Sequence, residues 1–247
     1  MIKRLKELVF LKENLNVIGI KQSFEDEGAS IEDIILARRL TEISNLKSFV
    51  KIGGCEAKTD MEVCKKFGID SIIAPMVESE FALSKFLSSA DSVFDLYIVI
   101  ETKTAYENLE NLLKLGKNKL KGIVVGRSDL TKSFNLDKSE VDSVFINNIV
   151  HDILIKSKSY NLKTTLGGNI SIKSSDFIKN QFEENLLDRI ETRNIVLELN
   201  QHNINDMDNS IKKILDFEIN LLEDKLNTVS EVRENYIKRL EILSKRK

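Results

Sequence analysis

The sequence predicts a (β/α)8 barrel, on three observations. Short runs of apolar, β-branched residues recur along the chain and alternate with segments of helical periodicity. Those runs are continuously apolar, which implies strands buried on both faces, as in a parallel sheet covered by helices. The peptide after each run is polar and often carries glycine, as expected where strand C-termini converge on the mouth of such a barrel.

The elements follow in order. MIKRLKELVFLKENL reads as an N-terminal helix, too often interrupted by charge to be the apolar core of a signal peptide. VIGIK (17–21) opens the strands, and the polar peptide KQSFEDEG leads to a helical period over 31–46. FVKIG (49–53) precedes a helix over 59–67, SIIAPM (71–76) one over 79–90, and LYIVIE (96–101) one over 105–115. GIVVG (122–126) runs through the peptide GRSD toward a helix over 139–158, and KTTLGG (163–168) toward one over 172–181. LLDRIE (186–191) is the seventh strand. An eighth run, IVLEL (195–199), follows too closely for a helical crossover; it extends the seventh strand or begins the next helix. Ring closure is thus inferred from seven counted units.

Composition narrows the function. At 247 residues the barrel suits one large domain, over 1–202 with its N-terminal helix, followed by a helical extension over 203–247. The formal net charge of −2 supplies no basic field for nucleic acid or an anionic membrane. No run approaches the ~20 apolar residues of a membrane span. Cys55 and Cys64 have neither CxxC spacing nor a companion histidine cluster, so both are expected to be reduced thiols in a cytoplasmic protein.

Two carboxylates stand out. Glu101 and Asp129 lie 28 residues apart, each at the end of an apolar run. One strand–helix–strand unit takes about 30 residues, so both side chains are expected at the same edge of neighbouring strands, roughly 4.8 Å apart. A carboxylate at the end of a buried strand needs a partner, and one Mg²⁺ or Mn²⁺ ion would serve both. The alternative is that Glu101 caps the following helix and Asp129 sits in an ordinary turn. Six of the ten glycines fall in the mouth peptides: Gly28, Gly53, Gly54, Gly126, Gly167 and Gly168. Glycine there lets a ligand approach the backbone.

VKIGGCEAKTDMEVCKKFGIDSIIAPMVES, then IETKTAYENL, then GIVVGRSDLT resemble, in that order, the metal-dependent HpcH/HpaI aldolase/citrate lyase family. The resemblance covers 17–193. It implies a barrel in which Glu101 and Asp129 hold Mg²⁺ or Mn²⁺ against the oxygens of a pyruvate- or oxaloacetate-type 2-oxo acid. The activity implied is that of a carbon–carbon lyase or aldolase. The Gly126-Arg127-Ser128-Asp129 turn would meet the substrate carboxylate through the N–H groups of Ser128 and Asp129. Lys51 stands where the family usually has an arginine, and would neutralise the enolate oxygen.

Two departures accompany the resemblance. The family's acid–base histidine follows a glutamate; here Glu27 is followed by Gly28. A glutamine two residues before the metal glutamate is Val99. Lys21, Glu25 and Glu27 are candidates for the missing base, although Lys21 could instead pair with Glu78 or Glu191. Arg127 and Arg193 point by position toward the mouth, to bind a distal carboxylate or phosphate; Arg193 could equally pair with Glu191. His151 and His202, the only histidines, read as surface residues. Two other readings stay open: a citrate-lyase-like or condensing enzyme on the same barrel, and a catalytically weak oligomeric binding module.

In the extension, Ile219, Leu222, Leu226, Val229, Tyr236, Leu240 and Leu243 form a ladder interrupted at Arg233. A straight helix of ~40 residues would span about 60 Å, more than the height of a barrel. A homo-oligomer with Leu222, Leu226, Val229, Tyr236 and Leu240 in its interface is the expectation. The alternative is a break near Asn227–Ser230 that folds the last turns back.

Overall fold

The computed structural model describes residues 2–25 and 27–244. After helix α1 (Ile2–Leu15), eight strands close a barrel in sequence order. They are β1 (Val17–Ser23), β2 (Lys47–Lys51), β3 (Ser71–Ala74), β4 (Asp95–Ile100), β5 (Gly122–Gly126), β6 (Lys163–Gly167), β7 (Arg189–Glu191) and β8 (Ile195–Glu198). The expected closure is therefore present. The last strand departs from the regular pattern: β8 runs antiparallel to both β7 and β1. Only Thr192, Arg193 and Asn194 separate it from β7, whereas a parallel return needs a crossover of a dozen or more residues. IVLEL neither extends β7 nor begins a helix.

The outer layer comprises α2 (Ile31–Ser44), α3 (Lys58–Lys66), α4 (Glu80–Ser89), α5 (Lys103–Glu107), α6 (Leu109–Gly116), α7 (Arg127–Ser133), α8 (Val144–Ser159) and α9 (Ser175–Glu183). Local chemistry sets their ends. Ser30 and Asp33 form a capping box at the start of α2, and Asn45 closes it in the left-handed region at φ 52°. Ser79 caps α4 through Ala82 N–H, and Ser143 caps α8 through Ile146 N–H. The helical period over 105–115 resolves into two short helices, α5 and α6, and that over 139–158 into a 3₁₀ turn (Lys138–Asp142) and α8. Helix α7 was read from sequence only as part of a polar turn.

Two clusters of side chains sandwich the strands. The larger lies between sheet and helices, with Ile72, Ile98, Ile123, Leu166 and Ile190 meeting Leu83, Leu112, Ile153 and Ile178. The smaller fills the barrel: Phe49, Ile73, Tyr97, Val99, Val124 and Val196. Side chains alternate along a strand, so the inward set continues upward from these residues to Lys51 in β2, to Glu101 just past β4, and to Gly126 in β5.

After α10 (Gln201–Asn205), helix α11 runs unbroken from Met207 to Ser244, which excludes the expected alternative of a break near Asn227–Ser230. Its first turns bury Met207, Ile211, Ile214 and Phe217 against the protein, and Arg4 binds Asp224 at 2.7 Å while Lys225 binds Asp33 at 2.8 Å. Beyond them Ile219, Leu222, Leu226 and Val229 are exposed. The side chains of Tyr236 and Leu240 lie outside the described residues. Among the described residues no helix is long and apolar enough to cross a membrane. Both cysteines are free thiols.

Candidate active site at the barrel mouth

The parallel register pairs Ile100 with Val125, which puts Glu101 in the next row beside Gly126. Glu101 is 2% exposed. Its Oε1 accepts the N–H of Met76 at 2.9 Å, and its Oε2 lies 3.7 Å from the ammonium of Lys51. Met76 has φ 52°, and every other non-glycine residue with positive φ among those described is asparagine. A left-handed methionine carries a conformational cost of roughly 1–2 kcal/mol, accepted here where it turns an N–H onto a buried carboxylate. The reading of Glu101 as a helix cap is excluded, because Thr102 accepts the Ala105 N–H at the start of α5.

Gly126 is required by this packing. A Cβ there would stand 2.9 Å from Glu101 Cβ and 3.0 Å from both its Oε2 and Val99 Cγ1. Val99, in place of the expected glutamine, is part of the apolar plug beneath the site.

Asp129 does not close a strand. β5 ends at Gly126, and Asp129 lies in the first turn of α7, where an acid suits the helix dipole. It pairs with Lys132 at 3.1 Å. The expectation of two carboxylates at neighbouring strand ends is therefore corrected: the strand neighbour of Glu101 is a glycine, and Asp129 follows three residues later. Among the described residues no group of three or more His, Cys, Asp and Glu side chains gathers in metal-binding fashion.

Ser128 precedes Asp129 in the same turn, whose N–H groups have no partner within the helix. Gly168, at φ 78°, packs against this turn; a Cβ on it would stand 2.5 Å from Ser128 N and 2.6 Å from Arg127 N. Only glycine leaves that approach clear.

Arg127 is a second correction. It was expected to bind a distal anion, yet its side chain is fully buried and turned away from solvent. It pairs with Asp142 at 2.6 Å and donates to the carbonyls of Gly167 and Gly168 and to Ser174 Oγ. Desolvation lowers its pKa, with Asp142 opposing. Arg127 is a staple that fixes the backbone after β6.

Lys21, a proposed base, makes a 2.6 Å ion pair with Glu191, the last residue of β7. Glu27 pairs with Arg193 at 3.3 Å, so Arg193 meets Glu27 and not Glu191. Glu25 is exposed and lies over Gly53. His151 sits in the outer layer on α8, its Nδ1 2.8 Å from Gln181 Oε1, and His202 is exposed on α10.

The mouth thus gathers Lys51 with Glu101 and Lys21 with Glu191 over two glycines, Gly126 and Gly167, which are register partners on β5 and β6. Sequence reasoning singled out three of the four charged groups. It passed over Glu191 as a site residue, although LLDRIE ends in glutamate as LYIVIE does. Met76 had no sequence signal, because its part is played by a backbone N–H.

No protein-family model and no curated protein matches the sequence. Solved structures do. An HpcH/HpaI aldolase from Desulfitobacterium hafniense DCB-2 aligns with a TM-score of 0.63 at 9% identity, over 78% of this chain and 82% of the other. The citrate synthase SbnG gives 0.59 at 14% identity, over 73% and 78%. A citrate lyase from Burkholderia xenovorans LB400 gives 0.58 at 12% identity, over 84% and 72%. This chain shares their fold.

Proposed function

We propose that this chain makes or breaks a carbon–carbon bond next to the keto group of a small 2-oxo acid of the pyruvate or oxaloacetate type. The observation that carries the reading is Glu101: a carboxylate buried at the barrel mouth, oriented by Met76 N–H and faced by Lys51. The similarity to structures named as aldolase, citrate lyase and citrate synthase supports both a lyase and a condensing direction.

The donor chemistry fits Mg²⁺ or Mn²⁺. Glu101 and Asp129 are hard oxygen donors, and Mg²⁺ characteristically takes one or two carboxylates with the remaining positions filled by substrate and water. Glu101 and Asp129 would hold the ion, which would supply positive charge to the keto and carboxylate oxygens of the acid. The chain does the rest. Lys51 sets a second positive charge beside Glu101, where enolate charge develops. The first-turn N–H groups of α7 are the donors proposed for the acid's carboxylate.

Calorimetric titration with Mn²⁺ tests the assignment. Wild type should bind, and Glu101→Gln and Asp129→Asn should each lose binding while keeping the circular dichroism of the fold. Unchanged affinity in both variants would sink the metal assignment. A screen of pyruvate and oxaloacetate against an aldehyde panel, with Mg²⁺ or Mn²⁺ present, identifies the substrate pair.

The protein is further proposed to act as a homo-oligomer in the cytoplasm, with no nucleic-acid or membrane partner. The exposed ladder of Ile219, Leu222, Leu226 and Val229 on an unbroken helix supports self-association.

A further inference from the structure

The second ion pair of the mouth is not explained by holding an enolate. Glu191 leans over Gly167, where a Cβ would meet its Cγ at 3.1 Å and its Oε1 at 3.2 Å. Glu101 leans in the same way over Gly126. In that row two glycines stand between the strands that carry the two carboxylates, and each carboxylate lies over its neighbouring glycine, so Glu101 and Glu191 lean toward each other across the mouth. Lys21 and Glu191 are nearly buried, with side-chain exposures of 10% and 8%. A buried pair of this kind is a weak source of stability, so its place at the strand ends that form the mouth points to a chemical role.

We propose that Glu191 and Lys21 are the acid–base relay of this site, and that Glu218 of α11 is the positioning residue that holds them. The inference rests on the 2-oxo acid reading given above. It answers the absence of a histidine at the mouth, since His151 and His202 both lie on helices outside the barrel.

The support for the pair is built from the chain's far end. Glu218 Oε1 accepts from Thr192 Oγ1 at 2.6 Å and from Asn194 N–H. Asn194 in turn clasps the backbone of Lys21: its carbonyl accepts the Lys21 N–H at 2.8 Å, and its Nδ2 donates to the Lys21 carbonyl at 3.2 Å. One carboxylate on α11 therefore fixes the turn that follows Glu191 and, through it, the strand that carries Lys21. A regular barrel would brace this edge with a crossover helix; here β7 returns directly as β8, and Glu218 supplies the brace.

In the condensing direction Glu191 takes a proton from the carbon next to the ketone. The C–H electron pair becomes the enolate C=C bond, and the carbonyl pair moves onto the oxygen facing Lys51. The enolate C=C pair then forms the bond to the acceptor's carbonyl carbon, the pair on the enolate oxygen re-forms the ketone, and the acceptor's π pair moves onto its own oxygen. Lys21 protonates that oxygen and recovers a proton from Glu191 across their contact. One proton has passed from donor carbon to acceptor oxygen, and both side chains return to their starting states. Cleavage is the reverse.

The test is exchange of pyruvate methyl protons in D₂O with Mg²⁺ present, followed by proton NMR, with pyruvate affinity measured separately by calorimetry. Wild type should bind pyruvate and exchange its methyl protons. Glu191→Gln should slow exchange by about 10²-fold or more, as for loss of a general base, with pyruvate affinity unchanged. Lys21→Met should lose turnover with an aldehyde more than it loses exchange. Glu218→Gln should shift the pH profile of exchange without changing affinity, which a merely structural loss would not do. Should Glu191→Gln fail to fold, the neutral pair Lys21→Met with Glu191→Gln takes its place and must also lose exchange. Exchange at the wild-type rate in either, or a wild type that binds pyruvate without exchanging it, overturns the relay alone. A wild type that neither binds nor exchanges pyruvate removes the 2-oxo acid reading with it.

Discussion

Gly126→Ala separates a glycine needed for the site from one that merely punctuates a turn. The backbone of Gly126, at φ −88° and ψ 80°, lies on the side of the map open to alanine. On that ground alone the substitution should stabilise by about 0.4–1 kcal/mol through the unfolded chain. The folded structure reverses the sign. The new methyl would meet Glu101 Cβ at 2.9 Å, Glu101 Oε2 at 3.0 Å and Val99 Cγ1 at 3.0 Å, against the roughly 3.5–4.0 Å of comfortable contact. Overpacking of this kind costs about 1–3 kcal/mol, so a net loss of about 1–2 kcal/mol is expected. For a chain of this size that is a fall in Tm of roughly 2–8 °C. Thermal unfolding followed by circular dichroism measures it, with Gly54→Ala as control, since a Cβ at Gly54 meets nothing within 4 Å. Because Glu101 must move, Mn²⁺ affinity should fall together with Tm. A Gly126→Ala protein as stable as wild type, with unchanged Mn²⁺ affinity, would refute the placement of Glu101.

Three further outcomes are expected. Lys51→Met should keep Mn²⁺ binding and lose on the order of 10²–10³ in turnover of a 2-oxo acid; near-normal turnover would make Lys51 a structural cation. Asp188 accepts from Lys158 Nζ at 2.6 Å and from Thr164 N–H at 2.8 Å. Burial works to raise its pKa, but Lys158 and Thr164 outweigh it and hold the pKa below the usual carboxylate value. Its stabilisation is therefore complete above about pH 4 and lost as pH falls through the lower folded value. Asp188→Asn should cost about 2 kcal/mol at pH 7 in urea unfolding, with the gap to wild type closing below about pH 4; a gap independent of pH would contradict this. Removing 219–247, which spares Glu218, should reduce the mass measured by light scattering to that of one chain, and an unchanged assembly would place the interface elsewhere.

The seven parallel strands were legible in the sequence because each is a continuous apolar run between polar, glycine-bearing peptides, a local pattern that burial on both faces imposes. Glu101 was legible for the same reason: a charge ending such a run needs a partner. The partner's identity was not, because Met76 N–H, Lys51 and Gly126 come from three other places in the chain and meet only through strand register. Arg127 shows the limit from the other side. Its position next to Gly126 pointed at the mouth, but Asp142 and the carbonyls after β6 draw the side chain away. The direction of β8 was likewise undecidable locally, since IVLEL would suit either sense. A three-residue link forbids a crossover, and pairing with β1 across the length of the barrel completes the ring. Sequence by itself thus determined which segments are strands and which residues bear charge at their ends. Tertiary structure alone decided which charges face one another, because a pairing depends on register and closure, and both are properties of the whole ring.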